Sequence, residues 1–176
     1  MVFHFENRHP IAIEKRGLIE TKFRFAIALY GESMKYCVVL GGRKRNEESF
    51  LSSCELYDIQ NEIVTVLPSL NVGRGYLSAC CVKNSVYAIC GKSNEGYLSS
   101  IEKLSRPDDN DTASWDLLEI DESVLSPRSS TLAFALNDQE LLISGGFYQE
   151  EISVGYWLTD AIVYNKKTLE ARKVVE

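Results

Sequence analysis

Two histidines, five cysteines, an aspartate run and an evenly spaced arginine are the residues of this 176-residue chain whose chemistry calls for scrutiny. His4 and His9 flank a polar turn and are the only imidazoles; a metal centre needs three or four convergent ligands, so the pair reads as a solvated turn and no metal site is expected. Beyond His9 no histidine stands ready to activate the serines of LSSCE or any thiol, so no catalytic residue is assigned. Cys37, Cys54, Cys80, Cys81 and Cys90 lie mostly in apolar stretches without a CxxC, the pattern of reduced thiols acting as small hydrophobes. Asp108, Asp109 and Asp111 lack the alternation and glycine turn of a calcium loop and read as a solvated loop. Arg24, Arg74 and Arg128 recur in one pattern. Recurrence assigns them a structural role, bonding carbonyls of a neighbouring unit or lining a channel mouth, because a specific ligand rarely meets every repeat alike.

The bulk properties exclude further classes. A net charge of −6 gives no general attraction to nucleic acid or to anionic membranes, and neither is expected as a partner. The longest apolar runs, such as Phe25 to Tyr30, fall far short of the ~20 residues of a membrane-spanning helix. The opening MVFHFENRHP has no apolar signal core, which with the reduced thiols predicts a cytoplasmic location and leaves the sequon Asn110-Asp111-Thr112 unused.

The elements that must hold these residues emerge from internal repetition. YCVVLGG (Tyr36 to Gly42), VYAICG (Val86 to Gly91) and ELLISGG (Glu140 to Gly146) are apolar strands ending in a glycine signal. Its first positions, Gly41, Cys90 and Gly145, are 49 and 55 residues apart, and an arginine precedes each by 17, 16 and 17 residues. A downstream element follows each time: CELYDIQNE, IEKLSRPDD and AIVYNKKTLE. Every period divides into four short strands rich in Val, Ile, Leu, Tyr and Phe, with no helical stripe, so the chain is predicted to be all-β. A glycine pair at a strand end permits positive φ and close backbone approach; a phosphate-cradling loop would lead into a helix instead.

The glycine pairs, the Glu-x-Tyr-Asp of Glu55 to Asp58 and Trp115 together resemble kelch repeats over about residues 24 to 176. The departures are Cys90 for the first glycine, Leu104 for the tyrosine, Ile162 for the glutamate, and Ile63 and Leu169 near the usual tryptophan. The resemblance implies that each repeat is a four-stranded blade of a β-propeller, with repeats at 24–73, 74–127 and 128–176. Residues 1–23 would supply strands three and four of a preceding blade. The expected whole is an incomplete propeller of about three and a half blades, part of a longer chain or one whose open edges associate with a partner.

In function, the resemblance implies a protein-interaction scaffold or adaptor, and with no catalytic constellation among the residues neither a cofactor nor enzymatic activity is expected. Two alternatives stay open: a small-molecule enzyme of the sugar or sialic-acid type, and the substrate receptor of a ubiquitin ligase if a BTB or F-box segment lies outside this chain. The chemistry of a copper oxidase similar to galactose oxidase has no histidines in the repeats to support it. The loops after the glycine signals, residues 43–52, 92–99 and 147–159, are expected to form the partner-binding face. Arg43, Lys44, Arg45, Tyr97, Phe147, Tyr148, Tyr156 and Trp157 are the candidate contacts, with the basic run 43–45 meeting an acidic segment of a protein or peptide. The tight turns GESM, KNS and NDQ belong to the opposite face.

Overall fold

A computed structural model describes residues 2–6, 9–13, 21–105, 107, 113–151 and 154–175. The acidic run at Asp108, Asp109 and Asp111 and the sequon lie outside these residues. The described chain is all-β apart from one three-residue 3₁₀ turn, Glu32–Met34. Strands β1 (Val2–Glu6) and β2 (His9–Ile13), which carry the two histidines, pair as an antiparallel hairpin.

Three four-stranded antiparallel sheets follow, each meandering in sequence order and each falling within one predicted repeat. The first holds β3 (Ala26–Tyr30), β4 (Tyr36–Leu40), β5 (Cys54–Asp58) and β6 (Ile63–Leu67). The second holds β7 (Ser78–Val82), β8 (Ser85–Ile89), β9 (Ile101–Ser105) and β10 (Trp115–Leu118). The third holds β11 (Leu132–Ala135), β12 (Glu140–Glu151), β13 (Val154–Asn165) and β14 (Glu170–Val175). Corresponding registers superpose: Ala26 pairs with Leu40, Ser78 with Ile89 and Leu132 with Ser144, each partner standing just before the glycine signal.

The sheets stack face to face, with the first strand β7 packed against β3 on one side and β11 on the other. Alternation sorts the side chains. On β8, Val86 and Ala88 enter a core shared with Ala28, Val38 and Leu56 of the first sheet. Tyr87 and Ile89, which alternate with them in sequence, enter a second core with Leu141, Ile143 and Tyr164 of the third sheet. A strand covered on both faces must be apolar throughout, which is why β8 reads as a continuous run while β3 alternates buried and exposed. Trp115 fills the first core, and its indole N–H donates to the Pro68 carbonyl at 2.9 Å, tying the outermost strand of the second sheet to the link leaving the first.

The glycine signals close these junctions. Gly41, Cys90 and Gly145 share a φ of 58°, 54° and 62°, while Gly42, Gly91 and Gly146 sit at 104°, 103° and 122°. The first region is open to an L-residue at some strain, as Cys90 shows in the second sheet; the second belongs to glycine. The Gly42 and Gly91 N–H groups donate to the carbonyls of Arg74 (2.8 Å) and Arg128 (2.9 Å), which open the following sheet. A Cβ on Gly41 would lie 2.3 Å from the Arg74 oxygen.

The arginine pattern needs two corrections. First, Arg74 and Arg128 bond carbonyls of their own sheet with their side chains; it is their backbones that reach the preceding sheet. The Arg74 guanidinium donates to Cys90 O (3.1 Å), Ser100 O (3.2 Å) and the Glu102 carboxylate (2.5 Å), while its N–H donates to Leu51 O (3.0 Å). Arg128 repeats this with Gly145 O (3.2 Å), Asp160 (2.5 Å) and, through its N–H, Leu98 O (3.1 Å). Second, Arg24 is not their counterpart. Arg24, Tyr76 and Ser130 share a φ of 58°, 52° and 55°, which places Lys22 level with Arg74 and Arg128. Lys22 makes the equivalent contacts, to Ser53 and, at 2.8 Å, to the Glu55 carboxylate. In the third sheet the acid comes from Asp160 because Ile162 holds the glutamate position, and the β13–β14 ladder shifts register beside it.

Candidate functional site

Each glycine signal stands at the sheet end where the first strand begins, so the three following segments emerge on one side of the stack. Short antiparallel bridges anchor their first residues: Phe23 with Arg43, Gly75 with Lys92 and Ser129 with Phe147. The loops then fold back, Phe50 onto Arg43 and Tyr97 onto Lys92. The third segment is not a loop. Strands β12 and β13 continue as a hairpin through it, with Phe147 opposite Trp157 and Tyr148 opposite Tyr156, because aromatic and aliphatic residues pair across this extension.

These segments enclose an open cleft of about 440 Å³. Arg43, Tyr97, Phe147 and Trp157 line it, as the sequence placed them on one face. Phe50, Tyr76, Lys92, Ser129, Ser130 and Gln149 complete the lining, and sequence reading missed them. Tyr76 and Ser130 come from the residues opening β7 and β11, whose positive φ no residue type advertises. Of the other candidates, Tyr148 packs edge-on against Tyr97, ring centres 5.4 Å apart, while Lys44 pairs with Glu47 at 3.3 Å outside the lining. Arg45 borders a separate depression with Thr21, Lys22 and Phe23, and Tyr156 is half-exposed on the hairpin. The basic run 43–45 therefore divides between two places.

The lining pairs cations with aromatic faces. Lys92 Nζ stands 5.0 Å from the Tyr97 ring centre, the Arg43 guanidinium 6.0 Å from Phe50, and the Arg24 guanidinium 4.1 Å from Tyr76. Arg43 is further fixed by donating Nε–H to Glu47 O at 2.7 Å. Phe147 bridges Tyr97 (6.3 Å) and Trp157 (5.1 Å), and Trp157 is 76% exposed. Burial, with Tyr76 and Tyr148 nearby, raises the Tyr97 phenol above its ordinary value, so it remains a neutral donor at physiological pH. Among the described lining residues there is no carboxylate. The cleft thus offers aromatic faces and positive charge, a surface complementary to a segment with both apolar and anionic groups.

Among the described residues, no three of His, Cys, Asp and Glu converge as metal ligands. No described helix is long and apolar enough to cross a membrane. The thiols of Cys54, Cys80 and Cys90 are buried, which pushes each up to about 12 and keeps it protonated and poorly nucleophilic. A scan against protein-family models and a search of curated proteins find no match to this chain.

Proposed function

We propose that the chain is a protein-interaction scaffold of kelch propeller type, whose cleft receives a partner segment carrying an acidic group beside an aromatic or aliphatic one. The observation that supports this reading is the lining itself: five aromatic rings, Arg43 and Lys92 around one opening, each borne on a segment clamped to a sheet. Exposed aromatics held rigidly lose little entropy on binding, which makes Trp157 and Tyr97 anchors, while Arg43 and Lys92 steer an acidic approach. Repetition of the buried cation–carboxylate latch, the glycine signal and the four-stranded sheet supports the kelch reading.

Peptide display on the purified chain provides the test. Acidic-aromatic sequences should be enriched, and Trp157→Ala should weaken the best peptide by roughly 30-fold, the loss of a ~2 kcal/mol anchor. Arg43→Ser with Lys92→Ser should weaken it most at low salt, with the thermal midpoint unchanged. Binding that survives all three changes would place the partner site elsewhere.

A further inference from the structure

Three equivalent positions recur around the cleft, and their residue types change in one direction from the first sheet to the third. The bridge position, two residues after Gly41, Cys90 or Gly145, exchanges backbone hydrogen bonds with the segment that opens its sheet: Arg43 with Phe23, Lys92 with Gly75 and Phe147 with Ser129. It carries a guanidinium, then an ammonium, then a ring. The opening position, marked by its shared positive φ, runs Arg24, Tyr76, Ser130. A ring faces the bridge residue in all three sheets: Phe50, Tyr97 and Trp157. The backbone mounts are alike, but their charge falls stepwise, with two cations on the first sheet, one on the second and none on the third.

Those cations are oriented without being neutralised. Inside the sheets Lys22, Arg74 and Arg128 each hold a carboxylate, whereas among the described residues no carboxylate pairs with Arg24, Arg43 or Lys92. Each lies instead against a ring, and the rings that carry Arg43 and Arg24, Phe50 and Tyr76, pack edge-on with centres 6.2 Å apart. A ring face steadies a guanidinium and leaves N–H donors for an incoming acid. The rings themselves are seated over glycines: a Cβ at Gly75 would strike the Phe50 ring, and one at Gly155 the Phe147 ring. At the third sheet Phe147 packs on Trp157, and the bridge and opening positions there bring no charge to that end.

Resting on the reading of the cleft as a peptide site, we propose that its occupant is a partner segment with segregated ends, a pair of acidic side chains over the first and second sheets and an aromatic or large aliphatic side chain on the third, and that Arg24 is one of its contacts. Charge complementarity sets the orientation. The reversed segment would lay its carboxylates on Phe147 and Trp157, where the bridge and opening positions supply no cation, and would cover Arg24 and Arg43 with an apolar side chain, desolvating two charges without a partner. The cleft therefore reads the order of acidic and apolar groups as well as their presence.

Fluorescence anisotropy on the full chain provides the test, with labelled peptides that join a pair of glutamates to one tryptophan through Gly-Ser spacers of graded length. The tightest binder enters double-mutant cycles, its glutamates changed to glutamine or its tryptophan to alanine, against Arg24→Gln, Arg43→Gln and Trp157→Ala. Each arginine variant should weaken the parent peptide about threefold to tenfold at low salt, lose most of that effect on the glutamine peptide, and act independently of the peptide's tryptophan. Trp157→Ala should do the reverse, coupling to the peptide's tryptophan by about threefold or more and not to its glutamates. Far-UV circular dichroism checks that the variants fold; Arg24→Ala, Arg43→Ala and Trp157→Leu replace any that does not. Binding that depends on Arg43 and Trp157 but ignores Arg24, or in which Trp157 couples to the glutamates, overturns the proposal and leaves the peptide-binding reading standing. Affinity unchanged when Arg43→Gln, Lys92→Gln and Trp157→Ala are combined, or no binding to the wild type across the spacer series, overturns both.

Discussion

Replacing Arg74 by methionine isolates the buried cation–carboxylate latch that recurs in each sheet. The guanidinium is fully buried, and Glu102, also fully buried, would keep only the Asn71 N–H (2.6 Å), the Asn71 amide (3.0 Å) and the Val72 N–H (3.1 Å). A buried carboxylate stripped of its cation costs about 3–5 kcal/mol, a large part of the roughly 5–15 kcal/mol that holds a domain together. Glu102→Gln alone strands the cation and should cost a comparable amount. The double variant removes both charges, so it should be less destabilised than the two single losses summed, with a coupling of at least about 1.5 kcal/mol. Arg24→Met is the control: an exposed guanidinium over Tyr76 and Phe23 contributes about 0.5–1 kcal/mol. Urea unfolding followed by circular dichroism and by tryptophan fluorescence measures all four variants. Arg74→Met losing under 1 kcal/mol, or Arg24→Met losing as much as Arg74→Met, would refute the latch and its reassigned register.

Other perturbations follow from the same contacts. Cys90→Gly should leave the unfolding free energy nearly unchanged, since relief of φ 54° offsets the lost buried sulfur, whereas Gly91→Ala should lower it by more than about 1 kcal/mol in urea unfolding because a Cβ there meets Gly75 O at 2.8 Å. Tyr87→Phe should hold or raise stability by up to ~1 kcal/mol, as the buried hydroxyl has no partner among the described residues; a clear loss would reveal one. Burial raises the thiols of Cys54, Cys80 and Cys90 from 9.0 to about 12, so their contribution is intact below pH 9 and is lost as pH climbs from 9 towards 12. The urea midpoint should therefore fall over that window, and Cys80→Ala should make the fall shallower.

How far the sequence carries differs from element to element. Strand positions were legible because half-buried and doubly buried sheets impose distinct apolar patterns, as β3 and β8 show. The glycine signals were legible because φ beyond 100° admits essentially one residue type. The first latch was not, because a buried carboxylate accepts lysine as well as arginine, and a search for arginine settled on Arg24 two residues from Lys22. Asp160 escaped for a similar reason: a local register shift lets an acid ahead of its usual position reach the guanidinium. At the cleft, the loop candidates were found by exposure and residue type. Phe50, Tyr76 and Lys92 were not, since their convergence depends on bridges between segments tens of residues apart. The hairpin at 147–158 was read as a loop because Gln149, Glu150 and Gly155 mask its cross-strand aromatic pairs.

Hydrogen exchange of the chain with and without a selected acidic-aromatic peptide tests the functional account most directly. The account predicts slowed exchange at residues 43–50, 92–98 and 147–158, which border the cleft, and none at the turns 31–35, 83–84 and 137–139 at the opposite sheet ends. Protection confined to those turns, or to the outer faces of the first and third sheets, would contradict it.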